Sequence, residues 1–249
     1  MKISIITICF NSADTIEDTI KSVLSQNYPN IEYIIVDGES TDNTKVIIEK
    51  YRDKINTFIS EKDNGIYSAM NKGVKLATGH IVGILNSDDL YSDPNVITNV
   101  VNKFLNPSVE GIYGDLVYVS RTNTDKVSRV WKAGEYKEGM FLKGWMPPHP
   151  SFFVKRNIYE KFGMFNTQLT SAADYELMLR FIHKEKTKIA YLPEVLVKMR
   201  DGGKSNISIF NRIKANREDL LAWKINGLKP GPFTLILKPF SKIGQFLKR

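Results

Sequence analysis

The stretch GHIVGILNSDDLY, residues 79–91, carries an apolar segment directly into two adjacent carboxylates, Asp88 and Asp89. The apolar run at residues 81–85 predicts a buried strand. Two like charges at one strand end repel each other unless a cation or hydrogen bonds offset them. Mg²⁺ or Mn²⁺ commonly does so with one or two protein carboxylates, while substrate phosphates supply further oxygens. The pair therefore predicts a metal and nucleotide-diphosphate site, although SDD also fits a plain polar turn.

Strand-like and helix-like segments alternate in the sequence before this stretch. Apolar β-rich runs lie within residues 2–12, 31–36 and 56–60, and apolar residues at helical spacing lie within 16–24, 46–51 and 65–77. This alternation is typical of βαβ units around a mostly parallel sheet. We predict an α/β fold with a Rossmann-like half over residues 1–90.

The pattern becomes irregular in the second half of the chain. The elements predicted there are a helix over residues 95–104, a strand over 111–119, a strand within MPPHPSFFVKR and a helix over 174–183. Residues 121–145 show no clean period. Such a region more often shapes a substrate site than forms an independent domain. We therefore predict one domain over residues 1–205.

The predicted strands end on polar residues. These are Asn11, Asp37, Asp63 and the Asp88-Asp89 pair. Ligands of an open α/β sheet bind outside the carboxyl ends of its strands, so these side chains mark the candidate site. No GxGxxG follows the first strand and no GxxxxGK[ST] occurs in the chain, which argues against a nicotinamide dehydrogenase and a P-loop NTPase.

Five segments, in order along the chain, resemble the family 2 glycosyltransferases with the GT-A fold. They are SIITICFNS, IIVDGESTDNT, EKDNGIYSAMNKGVKLATGHIVGILNSDD, HPSFFVKR and SAADYELMLR, spread over roughly residues 1–205. The resemblance implies a nucleotide-binding half over residues 1–90 and an acceptor-binding half over 91–205. It also implies inverting transfer of a sugar, of the type found in bacterial surface-polysaccharide assembly, with the paired carboxylates as a DXD-type motif.

The resemblance implies roles for residues on the donor side. Asp37 falls in the motif that holds the nucleotide base, and Asn71 in the helix that approaches the nucleotide. Asp88 would face the ribose, and Asp89 would bind the Mn²⁺ or Mg²⁺ that bridges the diphosphate. The other expected nucleotide-binding residues are Phe10, Asn11 and Asp63.

Three positions depart from the common family pattern. Many relatives carry Asp, Arg and Asp where this chain has Gly38, Met70 and Asn86. These departures leave the contacts to the base, and so the identity of the base, open. A UDP-sugar is the expected donor.

Asp174 matches the catalytic base of the family. An inverting transfer needs a carboxylate that takes the proton of the acceptor hydroxyl as its oxygen attacks the anomeric carbon. The alternative is structural, because Ser171-Ala-Ala-Asp174 also fits a capping box in which Asp174 would only satisfy a backbone N–H.

Further residues are candidates on the acceptor and diphosphate sides. His149 aligns with a histidine near the acceptor, or it is a structural hydrogen-bonding residue beside prolines. Trp145 stacks on a sugar face or packs in the core. The segment MRDGGKSN suits a loop that closes over the diphosphate, or it is a linker. Its candidate residues are Arg200, Gly202, Gly203 and Lys204.

The excess positive charge lies entirely in the C-terminal segment. The chain has 35 basic and 27 acidic residues, and from Lys204 onward ten are basic and only Glu218 and Asp219 are acidic. The C-terminal extension, residues 206–249, holds all of these basic residues except Lys204 and mixes them with large apolar side chains. This composition predicts contact with an anionic membrane surface. A helix packed on the catalytic domain or a protein partner fits the same composition. No recognition module accompanies the basic residues, which argues against nucleic acid as a partner.

The expected compartment follows from what the sequence lacks. No leader peptide and no run of 18 apolar residues is recognised, and a single cysteine, Cys9, excludes an internal disulfide. We expect a cytoplasmic protein on the inner face of the plasma membrane.

The sequence favours a metal-dependent inverting glycosyltransferase that moves a sugar from a nucleotide-diphosphate donor to a glycan or lipid-linked acceptor. One alternative is a sugar nucleotidyltransferase, which would need a triphosphate-binding loop after the first strand, where SADTIEDT offers none. The other alternative is a catalytically silent sugar-nucleotide-binding or assembly protein.

Overall fold

The computed structural model describes residues 1–202, 209–234 and 237–238 and has the expected α/β architecture. The strands are β1 Ile3–Cys9, β2 Ile31–Asp37, β3 Thr57–Ser60, β4 Ile81–Ile84, β5 Asp89–Tyr91, β6 Gly111–Val119, β7 Val127–Trp131, β8 Phe152–Lys155 and β9 Ile189–Arg200. The α-helices are α1 Ile16–Leu24, α2 Thr44–Glu49, α3 Ile66–Leu76, α4 Val96–Phe104, α5 Arg156–Phe162, α6 Ala173–Met178 and α7 Ile209–Ile225. Short 3₁₀ turns lie at Arg52–Lys54, Met140–Lys143 and His149–Ser151, and α6 continues as a π-helical segment, Leu179–Lys184.

The first half forms a parallel sheet in the order β3-β2-β1-β4. All seven residues of β1 are buried, because helices cover both faces of a parallel sheet. Helix α3 lies directly on β1: a side-chain Cβ at Gly73 would stand 2.3 Å from Cγ2 of Ile6. The absence of a side chain at Gly73 thus sets the close approach of α3 to the sheet.

The register aligns the carboxyl ends of the parallel strands. Cys9 pairs with Asp37, and Asp37 pairs with Ser60, so β1, β2 and β3 end level with each other. The loops that carry the strand-end polar residues therefore leave the sheet along one edge.

The second half extends the same sheet with antiparallel and parallel pairings. Strand β8 pairs antiparallel with β4 and β6, and β6 pairs parallel with β9. The twelve-residue β9 and the short β5 were not predicted, and β7 lies within the segment without a clean period. The sheet order continues as β4-β8-β6-β9-β5, with β7 on β6.

Helix α7 packs on α6 through the side of the helix that buries Ala222 and Trp223. The opposite side exposes Leu220, Leu221 and Ile225. Within the described ranges, no helix is both long and apolar enough to cross a bilayer.

Candidate active site

The carboxylate of Asp37 is fully buried and engaged by its own chain at the end of β2. It accepts hydrogen bonds from the hydroxyl of Ser40, from the Ser40 backbone N–H at 3.0 Å and from the hydroxyl of Ser60 at 2.6 Å. The thiol of Cys9 lies 3.5 Å from its Oδ1. Asp37 thereby fixes the loop after β2 to the ends of β1 and β3.

Phe10 and Asn11 form the loop after β1. Asn11 has a left-handed backbone with φ of 49°, and its side-chain Oδ1 accepts a hydrogen bond from the N–H of Thr41 at 2.9 Å. Its own N–H donates to the hydroxyl of Ser40 at 2.8 Å. Asn tolerates this conformation better than most residues, and here it presents the Phe10 ring, which is 51% exposed, to solvent.

Gly38 lies between Phe10 and Asp63. A Cβ at position 38 would stand 3.4 Å from the Phe10 ring and 3.5 Å from Oδ2 of Asp63, which is ordinary contact. The carboxylate of Asp63 also forms an ion pair with Lys72, with 2.6 Å between Oδ1 and Nζ. Phe10 and Asp63, both predicted for the donor side, thus lie on either side of Gly38 at one edge of the sheet.

The SDD segment is a turn that leads into a strand. Ser87 and Asp88 form the turn, and Asp89 begins β5. The hydroxyls of Ser87 and Ser12 are 2.8 Å apart, which joins this turn to the loop after β1. The SDD segment can therefore be a turn and also part of the candidate site, because the turn brings the paired carboxylates to the edge that holds Asn11 and Asp37.

Asp89 is fully buried beside a second negative charge. Its Oδ2 accepts a hydrogen bond from the side-chain amide of Asn86 at 3.2 Å. Burial, and next the charge of Asp88, raise the pKa of Asp89 well above its usual value, while Asn86 and the charge of Arg200 act in the opposite direction. A bound cation would restore the ionised form, because it offsets the repulsion between the two carboxylates.

The residues at this position fit a hard divalent cation. The Oδ1 atoms of Asn86 and Asp89 are buried and have no hydrogen-bond partner among the described residues. Carboxylate and amide oxygens are ligands of Mg²⁺ and Mn²⁺. No group of three or more His, Cys, Asp or Glu side chains in the described part of the chain could hold a metal. An ion on Asp89 would therefore take most of its ligands from water and substrate.

Asp174, in the first turn of α6, has two side-chain neighbours. Its Oδ1 accepts a hydrogen bond from the hydroxyl of Tyr67 at 3.1 Å, and its Oδ2 lies 3.2 Å from Nδ1 of His149. The N-cap of α6 is Ala172, and no side chain makes a capping hydrogen bond there. The capping box considered for Ser171 and Asp174 is therefore wrong, and both oxygens of Asp174 face side chains from other elements.

One pocket joins the Asp174 side to the SDD side. The lining residues include Met70 of α3, Ile84 at the end of β4, Asn86, His149 and Asp174. Burial, and next the charge of Asp174, raise the pKa of Tyr67, so Tyr67 stays a neutral hydrogen-bond donor. The carboxylate of Asp174 and the amide of Asn86, which holds Asp89, thus line the same pocket.

Two further predicted site residues take part in internal contacts. The side-chain amide of Asn71 donates to the backbone oxygen of Phe165 and accepts from its N–H, both at 2.9 Å. Trp145 is half-buried, donates to the backbone oxygen of Ala133 at 2.8 Å and stacks on Tyr136 with 5.3 Å between ring centroids. Asn71 thus fixes the segment after α5 on α3, and Trp145 belongs to an aromatic cluster.

The structure describes two of the four residues predicted for the diphosphate loop, Arg200 and Gly202. Arg200 is the last residue of β9 and only 3% exposed, and its guanidinium donates to the carboxylate of Asp18 and to the backbone oxygen of Asp88. Gly202 is exposed, with φ of 90°. Gly203 and Lys204 lie outside the described residues.

Sequence reasoning missed two residues that contact the Asp174 region. Tyr67 lies within a quoted motif, but nothing in its spacing indicates that its hydroxyl reaches Asp174. Glu218 of α7 accepts hydrogen bonds from the segment just before α6, across 46 to 48 residues of chain. Its acidic character within a basic segment was the only available signal.

The sequence of the chain matches those of known glycosyltransferases. The family model described as Glycosyl transferase family 2 matches residues 4–163. An uncharacterized glycosyltransferase of Mycobacterium tuberculosis is 32% identical over 180 residues, which cover 72% of this chain and 68% of that protein. The Escherichia coli enzyme WfaP, named as a UDP-Glc:α-D-GlcNAc-diphosphoundecaprenol β-1,3-glucosyltransferase, is 41% identical over 104 residues, or 41% of this chain and 39% of that protein.

A solved structure supports the expected fold. The mannosyltransferase PcManGT from Pyrobaculum calidifontis, in complex with GDP-Man and Mn²⁺, superposes with a TM-score of 0.67 at 20% identity, covering 97% of this chain and 69% of that one. The GT-A fold implied by the sequence motifs is thereby confirmed. The sequence match over residues 4–163 and the 32% identity to the Mycobacterium tuberculosis protein show that the chain belongs to glycosyl transferase family 2 and is a glycosyltransferase.

Proposed function

We propose that the chain transfers a sugar with inversion from a nucleotide-diphosphate donor to a hydroxyl group of a glycan or lipid-linked acceptor, with Asp174 as the general base. The observation that carries this proposal is the pocket that Asp174 and Asn86 both line, because Asn86 also donates a hydrogen bond to Asp89. The names of WfaP and of a Bacillus subtilis relative, given as a putative teichuronic acid biosynthesis glycosyltransferase, support a setting in surface-polysaccharide assembly.

The chemistry of Asp174 follows from its neighbours. The acceptor oxygen forms a bond to the anomeric carbon, the bond from that carbon to the diphosphate breaks, and the acceptor proton passes to the Asp174 carboxylate. The hydroxyl of Tyr67 holds Oδ1, and His149 lies beside Oδ2, so the carboxylate has a fixed orientation. A base held in one orientation loses little entropy when the acceptor arrives.

Residues at the strand ends would bind the donor. Phe10, Gly38 and Asp63 are neighbours and would contact the base of the donor. Asp88 would contact its ribose. Asp89, supported by Asn86, would hold Mn²⁺ or Mg²⁺, whose positive charge would offset the charge of the departing nucleoside diphosphate. Arg200 contributes by holding the backbone of Asp88 rather than by reaching the phosphates.

We propose a UDP-sugar as the donor. The name of the Escherichia coli relative specifies UDP-Glc, whereas the archaeal structure contains GDP-Man at lower sequence identity. Thermal stabilisation by UDP-glucose, UDP-N-acetylglucosamine and GDP-mannose in the presence of Mn²⁺ tests this choice. A shift with GDP-mannose alone would replace UDP by GDP.

We also propose that the C-terminal segment binds the anionic inner face of the plasma membrane, where a lipid-linked acceptor would be available. Helix α7 exposes Leu220, Leu221 and Ile225, and Lys224 and Lys229 are exposed beside them. Exposed apolar side chains next to Lys are typical of helices that lie in the headgroup region. The residues beyond Lys238 lie outside the described part of the chain.

Replacement of Asp174 tests the proposed function. We expect Asp174→Asn to slow release of nucleoside diphosphate from the donor by about 10²–10⁴-fold, because general-base catalysis contributes that much. Thermal stabilisation by the donor should persist. Glu160→Gln, on the exposed side of α5, is the control and should leave the rate unchanged.

Two outcomes would contradict the proposal. An Asp174→Asn protein with the wild-type rate would remove Asp174 from the chemistry. A wild-type protein that binds donors but releases no nucleoside diphosphate with Mn²⁺ would favour the catalytically silent binder. The family assignment already favours glycosyl transfer over nucleotidyl transfer.

A further inference from the structure

Helix α7 contacts α6 through hydrogen bonds as well as apolar packing. The indole N–H of Trp223 donates to the hydroxyl of Tyr175 at 2.9 Å, and both side chains are buried. The side-chain amide of Asn226 donates to Oε1 of Glu176 at 2.9 Å. Tyr175 and Glu176 directly follow Asp174 in the chain, so α7 holds the helix turn that carries the proposed base.

Glu218 binds the segment that leads into this turn. Its carboxylate accepts from three consecutive backbone N–H groups, those of Thr170 at 3.0 Å, Ser171 at 2.8 Å and Ala172 at 3.1 Å. It also accepts from the hydroxyls of Thr170 at 2.7 Å and Ser171 at 3.0 Å. Glu218 is only 9% exposed, so these five donors replace most of the water that a surface carboxylate would bind.

These contacts supply what α6 lacks locally. Ala172 is the N-cap of α6, and no side chain of the adjoining segment makes a capping hydrogen bond. The first N–H groups of a helix need acceptors, and a negative charge near that end is favourable. Glu218 provides the negative charge and accepts a hydrogen bond from the N–H of the N-cap residue Ala172. It does so from α7, which begins 35 residues after Asp174 in the chain.

We propose that Glu218 is a positioning residue for Asp174, so that α7 is part of the catalytic unit and not only an attachment segment. This inference rests on the proposed role of Asp174 as the base. Asp174 is two residues from Ala172, and a displacement of about 1 Å at a reacting group can cost about 10²-fold in rate. On the donor side, Asp37 binds Ser40 and Ser60 and Asp63 pairs with Lys72, so their contacts lie near the ends of β2 and β3.

Glu218→Gln tests the proposal without a change of volume. The new NH₂ group would face backbone N–H groups instead of accepting from them, so the segment before α6 loses part of its anchoring. We expect nucleoside diphosphate release from the best-binding sugar nucleotide, with Mn²⁺ and water as acceptor, to fall about 10- to 100-fold in kcat. The KM for the donor should stay unchanged, and amide hydrogen exchange should increase in residues 170–176.

Glu32→Gln is the matched control. Glu32 is also a buried carboxylate, and it accepts from Lys2 at 2.7 Å, from Ser4 and from the N–H of Thr78 at 2.8 Å. It lies at the start of β2, at the edge of the sheet opposite the strand ends that form the site. Its loss should lower the unfolding midpoint but leave kcat at the wild-type value well below that midpoint.

The outcomes separate this inference from the proposed function. If Asp174→Asn abolishes turnover while Glu218→Gln keeps kcat within about twofold of wild type, the positioning role is wrong and the base remains. If Glu32→Gln lowers kcat as much as Glu218→Gln, the effect is general destabilisation and the inference also fails. If Asp174→Asn is fully active, the proposed function itself fails.

Discussion

Two neighbouring residues of the same type have different environments in this chain. Asp88 is half-buried, and its backbone oxygen is held by Arg200. Asp89 is fully buried, and one of its oxygens is held by Asn86. The side chain of Asn86 supplies a hydrogen-bond donor to Asp89 and adds no further negative charge. The difference in environment supports the separate roles proposed for the two residues.

Asp89→Asn should remove the metal dependence together with the activity. The substitution keeps the size of the side chain but removes the charge that would attract Mn²⁺. Nucleoside diphosphate release, measured against Mn²⁺ concentration, is expected to lose its saturation curve. Asp93→Asn, at an exposed carboxylate four residues further on, is the control and should keep the wild-type curve. An Asp89→Asn protein with unchanged Mn²⁺ dependence would return the pair to a purely structural turn.

The sequence indicated the proposed site residues but not the side chains that hold them in place. Asp88, Asp89 and Asp174 were identified by residue type, position at strand ends and resemblance to a family. Tyr67 and Glu218 act through contacts that span 107 and 46 to 48 residues of chain. Such contacts depend on how helices dock on the sheet, and no local period encodes that docking.

The sequence predicts a strand most clearly where nearly all residues of that strand are buried. Strands β1 and β2 are almost entirely buried, and their apolar runs mark them clearly. Strand β9 mixes buried, half-buried and exposed positions without alternation and contains Pro193, so its sequence lacks a strand period. Helix α6 and its π-helical continuation were predicted as one helix, because the apolar spacing does not reveal the extra residue in a π turn.

The carboxyl group of Glu32, at the start of β2, should make the free energy of unfolding depend on pH. Burial disfavours the charged form of Glu32, but hydrogen bonds from Lys2, Ser4 and Thr78 outweigh it and lower the pKa to about 2. A lowered folded-state pKa stabilises the native state above the unfolded pKa, and this contribution is lost as pH falls from about 4.5 to about 2. Urea unfolding across that range should show a smaller pH dependence in Glu32→Gln. An identical pH dependence in both proteins would contradict the assignment.

The residues proposed for donor binding and the proposed base lie in different halves of the chain. The parallel half supplies the strand ends, and the second half supplies His149 and Asp174 across the pocket. The match to the family model ends at residue 163, so α6 and α7 lie beyond it. The boundary predicted at residue 205 stays a prediction.

Binding to lipid vesicles tests the role of the exposed side of α7. We expect the full chain to sediment with vesicles of phosphatidylglycerol and phosphatidylcholine, and to be released by salt. The double variant Lys224→Glu, Lys229→Glu should weaken this binding at least about 10-fold, since each basic residue contributes about 1 kcal/mol. Lys103→Glu, on the exposed side of α4, is the control. Equal binding to pure phosphatidylcholine would contradict the electrostatic part of the proposal.

The pairing of β5 with β9 has a consequence for the order of folding. Asp89 pairs with Met199, 110 residues later in the chain, and β5 has no other strand neighbour within the described residues. During synthesis the parallel half emerges first, but its paired carboxylates stay at an unpaired strand until β9 has been made. Contacts of such long range form late, because the loop that they close is entropically costly. We therefore expect the strand that begins with Asp89 to join the sheet late in folding, after the parallel half that supports it.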